Sequence, residues 1–282
     1  MTDRPNRTAD RPALVPRPMA PSAALDRVRA AVPLVHNITN HVVMQTTANA
    51  LLAIGASPAM VHSADEVEAF APLAGALVIN VGTIEGDWLA AMKLAVAAAG
   101  GAGVPWVLDP VATGATPYRT AAAADLALRG PAVIRGNPSE ILVLAGSTDA
   151  GGKGVDAVHG PEDALEAAEA LARRTGAVIA VTGPVDLVVD GGRTARIRGG
   201  DPLMARITGM GCTATALIGA FLGAGIPAFD AAVAGLAALG TAGEAAAKTA
   251  QGPGSLAVGL LDRLAALDPA AMDAAVAESL PA

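Results

Sequence analysis

Residues 76–109, with the sequence ALVINVGTIEGDWLAAMKLAVAAAGGAGVPWVLD, decide the fold because they contain one complete strand–helix–strand repeat. The β-branched run Ala76–Asn80 predicts a strand, and the alanine-rich residues 85–99 predict a helix that ends at Gly100-Gly101. Residues 104–109 predict a second strand. A strand, a helix and a strand of these lengths favour a right-handed βαβ unit with parallel strands.

The same alternation continues along the chain and then changes to a hairpin followed by helices. Further strands are predicted at residues 132–135 and 177–181, and further helices at 118–128, 139–145 and 162–174. Residues 186–190 and 193–198 predict a hairpin, because the diglycine at 191–192 supplies the positive φ of a tight turn. The remaining predicted helices cover residues 211–222, 228–249, 254–266 and 270–279, with an earlier one at 40–54 capped by Asn40.

These patterns together predict an α/β fold in which a central, mainly parallel β-sheet is flanked by α-helices. No stretch is rich enough in linker residues to divide the chain, so residues 21–282 are predicted to form a single domain. Residues 1–20 carry arginines and prolines without an apolar segment. They are predicted to be a disordered N-terminal extension rather than a signal peptide.

The composition excludes several classes of protein. The chain has 282 residues, of which 52% are hydrophobic and 16% charged, and its net charge of −7 argues against a nucleic-acid partner. One cysteine rules out a disulfide framework and a cysteine-rich zinc site, and it fits a cytoplasmic protein. Residues 207–229 carry no charge, but glycines and Pro227 interrupt them, and their apolar part, 214–222, is too short for a membrane span.

Polar residues follow four predicted strands at the points where they end. They are Asn80, Asp109, Arg135 and Thr182, and each has a glycine or proline within two residues after it. Ligands of open parallel sheets bind beyond the carboxyl ends of the strands. The sequence therefore predicts a polar site along this edge.

The segment Thr208-Gly-Met-Gly-Cys-Thr213 predicts an anion site, most obviously for phosphate. Its glycines let the backbone approach a ligand, and the helix start after them presents free N–H groups. The alternative is a glycine turn that only opens a buried helix. A dinucleotide motif is disfavoured because its acid, Asp230, falls in a turn between helices. The spacing of residues 146–154 does not match a P-loop, so this segment is predicted to be a surface loop.

Asp109 and Glu140 are candidate ligands for Mg²⁺, either directly or through water. For Glu140 the alternative is charge complementarity with a helix N-terminus, and for Asp109 it is an ordinary turn residue. Arg135 ends a strand where a cation can meet phosphate oxygens. The four histidines are His36, His41, His62 and His159, and none pairs with another at metal-ligand spacing on a clear helix face.

A series of blocks in this order resembles the hydroxyethylthiazole kinase family, whose members have the ribokinase-like fold. The blocks are LVHNITN (34–40), NALLAIGASPAM (49–60), NVGT (80–83), LDPVA (108–112), IRGN with Ser139 and Glu140 (134–140), VTG (181–183), GGDPLM (199–204) and GMGC (209–212). The resemblance covers residues 33–260. It implies transfer of the γ-phosphate of ATP to the hydroxyl of 4-methyl-5-(2-hydroxyethyl)thiazole, in thiamine biosynthesis and salvage.

The resemblance also implies a role for each site residue. Met60 and Gly209 line the thiazole pocket with Asn40 and Val42 nearby; Arg135 and Thr182 bind ATP; Asp109 and Glu140 surround Mg²⁺ and the phosphates; and the backbone of Gly209, Met210, Gly211 and Cys212 holds the transferring phosphoryl group. Cys212 stands where most of the superfamily has an aspartate base. The helix start is expected to lower the pKa of its thiol, which would then accept part of the substrate proton.

The family also implies a homotrimer with active sites between subunits. Two other functions stay open on the sequence. One is a pyrimidine-alcohol kinase of the same fold, and the other is a nucleotide-binding regulator without catalysis.

Overall fold

The computed structural model describes residues 18–146 and 160–279. The predicted disordered extension falls outside this range except for residues 18–20, which precede the first helix without regular structure. The loop predicted at 146–154 also falls outside it apart from Gly146. Both interpretations stay predictions.

The described part of the chain contains eleven α-helices and nine strands, together with three short 3-10 helices. The helices are α1 (Pro21–Ala31), α2 (Met44–Ile54), α3 (Val67–Phe70), α4 (Gly86–Ala102), α5 (Pro117–Ala127), α6 (Pro138–Ala145), α7 (Leu165–Thr175), α8 (Met210–Gly223), α9 (Ala228–Ala247), α10 (Pro253–Ala265) and α11 (Pro269–Ala274). The strands are β1 (Leu34–Ile38), β2 (Ser57–Ala59), β3 (Ala76–Asn80), β4 (Trp106–Asp109), β5 (Val133–Gly136), β6 (Val178–Val181), β7 (Asp186–Val189), β8 (Thr194–Ile197) and β9 (Val276–Ser279).

All nine strands join one sheet in the order β2-β1-β3-β4-β5-β6-β7-β8-β9. The first six strands in this order are mutually parallel, whereas β7, β8 and β9 pair antiparallel. The α/β fold with a central, mainly parallel sheet is therefore confirmed, as is the hairpin of β7 and β8. The carboxyl ends of β1 to β6 lie along one edge.

Three predicted boundaries are wrong. Helix α4 runs through Gly100 and Gly101 and ends at Ala102. It is capped by Gly103, whose φ of +71° is the left-handed conformation that glycine adopts readily. Asn40 does not cap α2, which begins at Met44, because the Asn40 side chain is engaged in the site described below. The helix predicted for 270–279 stops at Ala274, since the free edge of β8 pairs with Val276–Ser279.

Helix α8 brings its start to the carboxyl edge of the sheet. Its residues from Thr213 to Leu222 are all buried, and the helix packs against β1, β3 and β4. A separate aliphatic cluster, built around α4 and α7, covers the opposite face of the sheet. Among residues 18–146 and 160–279, no helix has the length and apolar character needed to cross a membrane.

Candidate active site

Asp109 is the centre of a buried hydrogen-bond network at the carboxyl edge of the sheet. Its side chain is fully buried, and its Oδ2 accepts hydrogen bonds from Asn80 Nδ2 and Thr215 Oγ1, both at 2.8 Å. The network follows from register, because Asn80 and Asp109 are directly paired on β3 and β4. Burial raises the pKa of Asp109, and the nearby Arg135 guanidinium partly opposes that rise.

Arg135 joins the ends of β4, β5 and β6. Its Nη1 lies 3.5 Å from Asp109 Oδ1, and its Nη2 donates a hydrogen bond to Thr182 Oγ1. The residue is only 8% exposed, and its Nε is buried without a hydrogen-bond partner in the described structure. The predicted pair of Arg135 and Thr182 is therefore brought together, with one guanidinium donor unused.

The guanidinium of Arg135 lies directly against the first turn of α8. A Cβ atom at Gly211 would fall 2.5 Å from Nη2 and 2.7 Å from Cζ of Arg135, so a side chain at this position would displace the guanidinium. Glycine is thus required here for close approach rather than for its backbone angles.

The start of α8 has the geometry of an anion cradle. Gly209 precedes the helix with φ +85°, and a Cβ there would also lie 2.6 Å from Val43 Cγ1. The Thr213 N–H is bonded to the Gly209 carbonyl, which leaves the N–H groups of Met210, Gly211 and Cys212 ahead of the helical hydrogen-bond ladder. Three free donors at a positive helix end favour a negatively charged group.

Both carboxylate oxygens of Glu140 accept hydrogen bonds from backbone N–H groups. Its Oε2 accepts from the Asn137 N–H at 2.8 Å in a capping box of α6, and its Oε1 accepts from the Ala112 N–H at 2.7 Å. Ala112 has φ +58°, a strained angle for a residue other than glycine. Burial and the charge of Asp109 raise the pKa of Glu140. Glu140 therefore stabilises the loop after β4 besides adding charge to the site.

Cys212 lies inside the network, but the pKa of its thiol is shifted in the opposite direction from the expected one. Asn40 Nδ2 lies 3.5 Å from its Sγ and also donates to Asn80 Oδ1 at 2.9 Å. The expected lowering of the thiol pKa is wrong. Burial, together with the charge of Asp109, raises the pKa of Cys212 to about 11, so these two effects outweigh the helix dipole. At neutral pH the side chain is a protonated thiol.

The residues expected at the thiazole pocket are spread along the same edge. Asn40 is joined to the network, and its Oδ1 accepts from the Val42 N–H at 3.1 Å. Val42 is 61% exposed, and Met60 is half-buried directly after the edge strand β2. Since β2 lies three strands from β4, Met60 is roughly 14 Å across the sheet from Asp109 at about 4.8 Å per strand.

Sequence reasoning places Asn80 at the polar edge without a partner and misses two further residues of this site. Thr215 is predicted only as part of a helix, although it bonds directly to Asp109, as Asn80 does. Asp186 begins β7, and its Oδ1 accepts from the Gly183 N–H at 2.8 Å, which fixes the turn after Thr182. Burial raises the pKa of Asp186 to about 6. The sequence signal that could have identified Thr215 is its position one helical turn after Cys212.

The acids of the site do not form a ready-made metal cage. Within the described residues, no group of three or more His, Cys, Asp and Glu side chains is arranged to hold a metal ion. His36 is buried, with its Nε2 2.7 Å from the Val61 carbonyl, and burial lowers its pKa. His159 lies outside the described residues.

A cleft of about 450 Å³ lies further along the edge, beyond the end of β8. Arg198 and Gly199 line one side, and Thr241 of α9 and Lys248, directly after that helix, line another. The cleft is three strands from Arg135, on the side away from Met60.

The fold and the site define the class of protein first. A solved pyridoxal kinase from Staphylococcus aureus in complex with ADP superposes with a TM-score of 0.60 at 17% identity, covering 76% of this chain and 88% of that one. At this identity the likeness shows the fold alone, which is that of the ribokinase-like proteins. At the carboxyl edge of the sheet, the start of α8 lies against Arg135, which in turn lies beside the buried Asp109, and this arrangement suits a phosphate ligand.

The sequence then identifies the family. The chain belongs to the hydroxyethylthiazole kinase family, which it matches over residues 25–270. A hydroxyethylthiazole kinase from Granulibacter bethesdensis is 56% identical over 91% of this chain and 93% of its own length, and one from Cereibacter sphaeroides is 53% identical over 88% and 94%. The solved hydroxyethylthiazole kinase of Pyrococcus horikoshii is 42% identical, with a TM-score of 0.85, and covers 92% of this chain and 98% of that one.

Proposed function

We propose that this chain transfers the γ-phosphate of ATP to the hydroxyl of 4-methyl-5-(2-hydroxyethyl)thiazole, a step of thiamine biosynthesis and salvage. The observation that carries the proposal is the start of α8, where free backbone N–H groups stand beside Arg135 and Asp109. The substrate follows from the two hydroxyethylthiazole kinases that are 56% and 53% identical to this chain over the matched residues.

Arg135 and Thr182 bind the phosphates of ATP in this proposal. The support is the unpartnered Nε of Arg135, a buried donor that an anionic ligand would satisfy. The cleft beyond β8 lies roughly 14 Å from Arg135 at about 4.8 Å per strand, which suits the distance from the phosphates to the adenine of ATP. The nucleotide would therefore extend along the edge from Arg135 toward Thr241.

The N–H groups of Met210, Gly211 and Cys212, after Gly209, hold the transferring phosphoryl group. Phosphoryl transfer passes through a loose transition state, so positioning and charge neutralisation account for most of the rate enhancement. Donors fixed by a buried helix need no reorganisation when charge develops.

Asp109 and Glu140 would hold Mg²⁺ through bound water molecules rather than as direct ligands. Mg²⁺ keeps several waters and binds one or two carboxylates together with substrate phosphates. Both oxygens of Glu140 already accept one backbone hydrogen bond, and each retains a second lone pair. The mutual repulsion that raises the pKa of Glu140 would fall beside a cation. When bound, Mg²⁺ would neutralise phosphate charge.

Met60, Gly209, Asn40 and Val42 form the thiazole side of the site in this proposal. Asn40 links that side to Cys212, because one amide nitrogen lies within reach of Asn80 Oδ1 and Cys212 Sγ. Cys212 contacts the reacting hydroxyl as a neutral thiol, since its pKa is about 11. Its share in proton removal is therefore small at neutral pH.

We further propose a cytoplasmic homotrimer in which a neighbouring subunit completes each active site. The proposal rests on the family to which the chain belongs. A neighbouring subunit would also cover the apolar side chain of Val42, which is 61% exposed. Analytical ultracentrifugation should give one species of three times the chain mass. A stable monomer at micromolar concentration would contradict it.

A substrate panel tests the proposed activity. ADP release is measured with hydroxyethylthiazole, a hydroxymethylpyrimidine and pyridoxal, each with and without Mg²⁺. The thiazole should give the highest kcat/KM, and only with Mg²⁺. A higher value for the pyrimidine would identify the other kinase, and ATP binding without transfer to any alcohol would indicate a regulator.

A further inference from the structure

Trp88, at the start of α4, contacts the two connections that follow β1 and β2. It lies in the first turn of α4 and is 7% exposed. The imidazole of His62 stacks on the indole with ring centroids 4.5 Å apart and planes 9° apart. The imidazole of His41 meets the same indole edge-on, at 4.6 Å and 69°. We call His41, His62 and Trp88 the aromatic stack.

The aromatic stack is interleaved with the residues assigned above to the thiazole. His41 stands between Asn40 and Val42, and His62 is two residues after Met60. The backbone N–H of His41 also donates to Thr83 Oγ1 at 3.1 Å, which ties the connection after β1 to the one after β3.

We propose that the aromatic stack is a positioning and specificity device for the thiazole alcohol, and that Trp88 sets the spacing between the Val42 and Met60 connections. This inference rests on the proposed function for its substrate. Parallel and edge-on ring contacts fix both distance and angle, which aliphatic contacts do not. Two irregular connections held against one rigid indole present their pocket residues in one arrangement. Preorganisation of this kind strengthens binding without adding a contact.

The position of the stack makes its effect selective. It lies on the β2 and β1 side of the edge, whereas Arg135 and Thr182 lie on β5 and after β6. Loosening the stack should therefore weaken binding of the alcohol and leave binding of ATP unchanged. A role limited to general stability would affect both substrates.

His62→Ala and His62→Phe test this inference, because the first removes the stacked ring and the second keeps one. His62→Ala should raise the KM for hydroxyethylthiazole about tenfold, in line with the loss of ring contacts and preorganisation, with the KM for ATP changed less than twofold. His62→Phe should restore most of the affinity. Equal changes in both KM values, or no change in either, would overturn the inference.

A fluorescence measurement separates this inference from the proposed activity. Trp106 is the second of the two tryptophans in the sequence, and it is buried in β4. Trp106→Phe leaves Trp88 as the sole indole, and its emission should change on addition of the thiazole alone, without ATP. A response without any phosphoryl transfer would refute the proposed function and keep the stack assignment. Normal turnover with no response, and an unaffected His62→Ala variant, would refute the stack assignment alone.

Discussion

Replacing Gly211 by alanine should weaken ATP binding while leaving the fold intact. A Cβ at this position would fall 2.5 Å from Nη2 and 2.7 Å from Cζ of Arg135, so the guanidinium has to move. The atoms in the way belong to the far end of a flexible side chain, so the backbone of α8 need not shift. Alanine also favours the helix by up to about 1 kcal/mol relative to glycine.

The expected loss of affinity for ATP follows from the contacts of Arg135. Displacement breaks its approach to Asp109 and its hydrogen bond to Thr182, and removes it from the phosphates. One charge-assisted hydrogen bond contributes about 1.5–3 kcal/mol, which corresponds to a rise of about tenfold to 150-fold in the KM for ATP. The KM for the thiazole should change less than twofold.

Steady-state kinetics and urea unfolding of the same preparations give the answer. Gly101→Ala is the matched control, because this glycine also lies within a helix but nothing lies within 4 Å of the added Cβ. The control should unfold at the same or higher urea concentration with unchanged kinetics. In an Arg135→Ala background, Gly211→Ala should have no further effect. An unchanged KM for ATP in Gly211→Ala would show that the added methyl group does not displace Arg135. A further rise in the KM for ATP in the double variant, as large as that in Gly211→Ala alone, would show that the effect does not pass through Arg135.

Three further predictions concern the ionisation and burial of the site. Iodoacetamide should modify Cys212 about 100-fold more slowly than an ordinary thiol at pH 8, because its pKa is raised to about 11; a rate profile with its midpoint near pH 9 would show that the thiol is not so perturbed. Thr215→Val should lower the free energy of unfolding by about 1–3 kcal/mol, because Asp109 loses a buried donor, and equal urea midpoints for variant and wild type would count against that bond. Because the folded pKa of Asp186 is raised to about 6, its contribution to stability should fall as pH rises from about 4 to 6. Between pH of about 4 and 6, the free energy of unfolding in urea should therefore fall less for the Asp186→Asn variant than for the wild type. An identical pH dependence in the two proteins would contradict the assignment.

The sequence was sufficient to predict which residues meet at the edge of the sheet. Parallel strands all end on the same side, so polar residues at strand ends such as Asp109, Arg135 and Thr182 must converge. Gly209 and Gly211 at the start of α8 predicted either an anion site or a turn that only opens a buried helix, and the sequence alone did not decide between the two. The family resemblance added the substrate, which no spacing of residues specifies.

The remaining features depend on distances across the chain. The bond from Thr215 to Asp109 requires the rotation of α8 over β4, and that is set by packing of the whole helix. The pKa of Cys212 follows from burial and from a charge 103 positions earlier in the sequence, so local helix position predicted the wrong direction. The local pattern predicts helix where β9 lies, because the strand is formed by pairing with β8, which is more than 70 residues earlier in the sequence.

The most direct test of the proposed activity is mass spectrometry of the products formed from ATP, Mg²⁺ and hydroxyethylthiazole. The thiazole should gain one phosphoryl group for each ADP formed, and Arg135→Ala should slow the formation of both products equally at limiting ATP. ADP formed without a phosphorylated thiazole would show that the chain is not a thiazole kinase, and a phosphorylated thiazole formed at the wild-type rate by Arg135→Ala at limiting ATP would remove Arg135 from the ATP site.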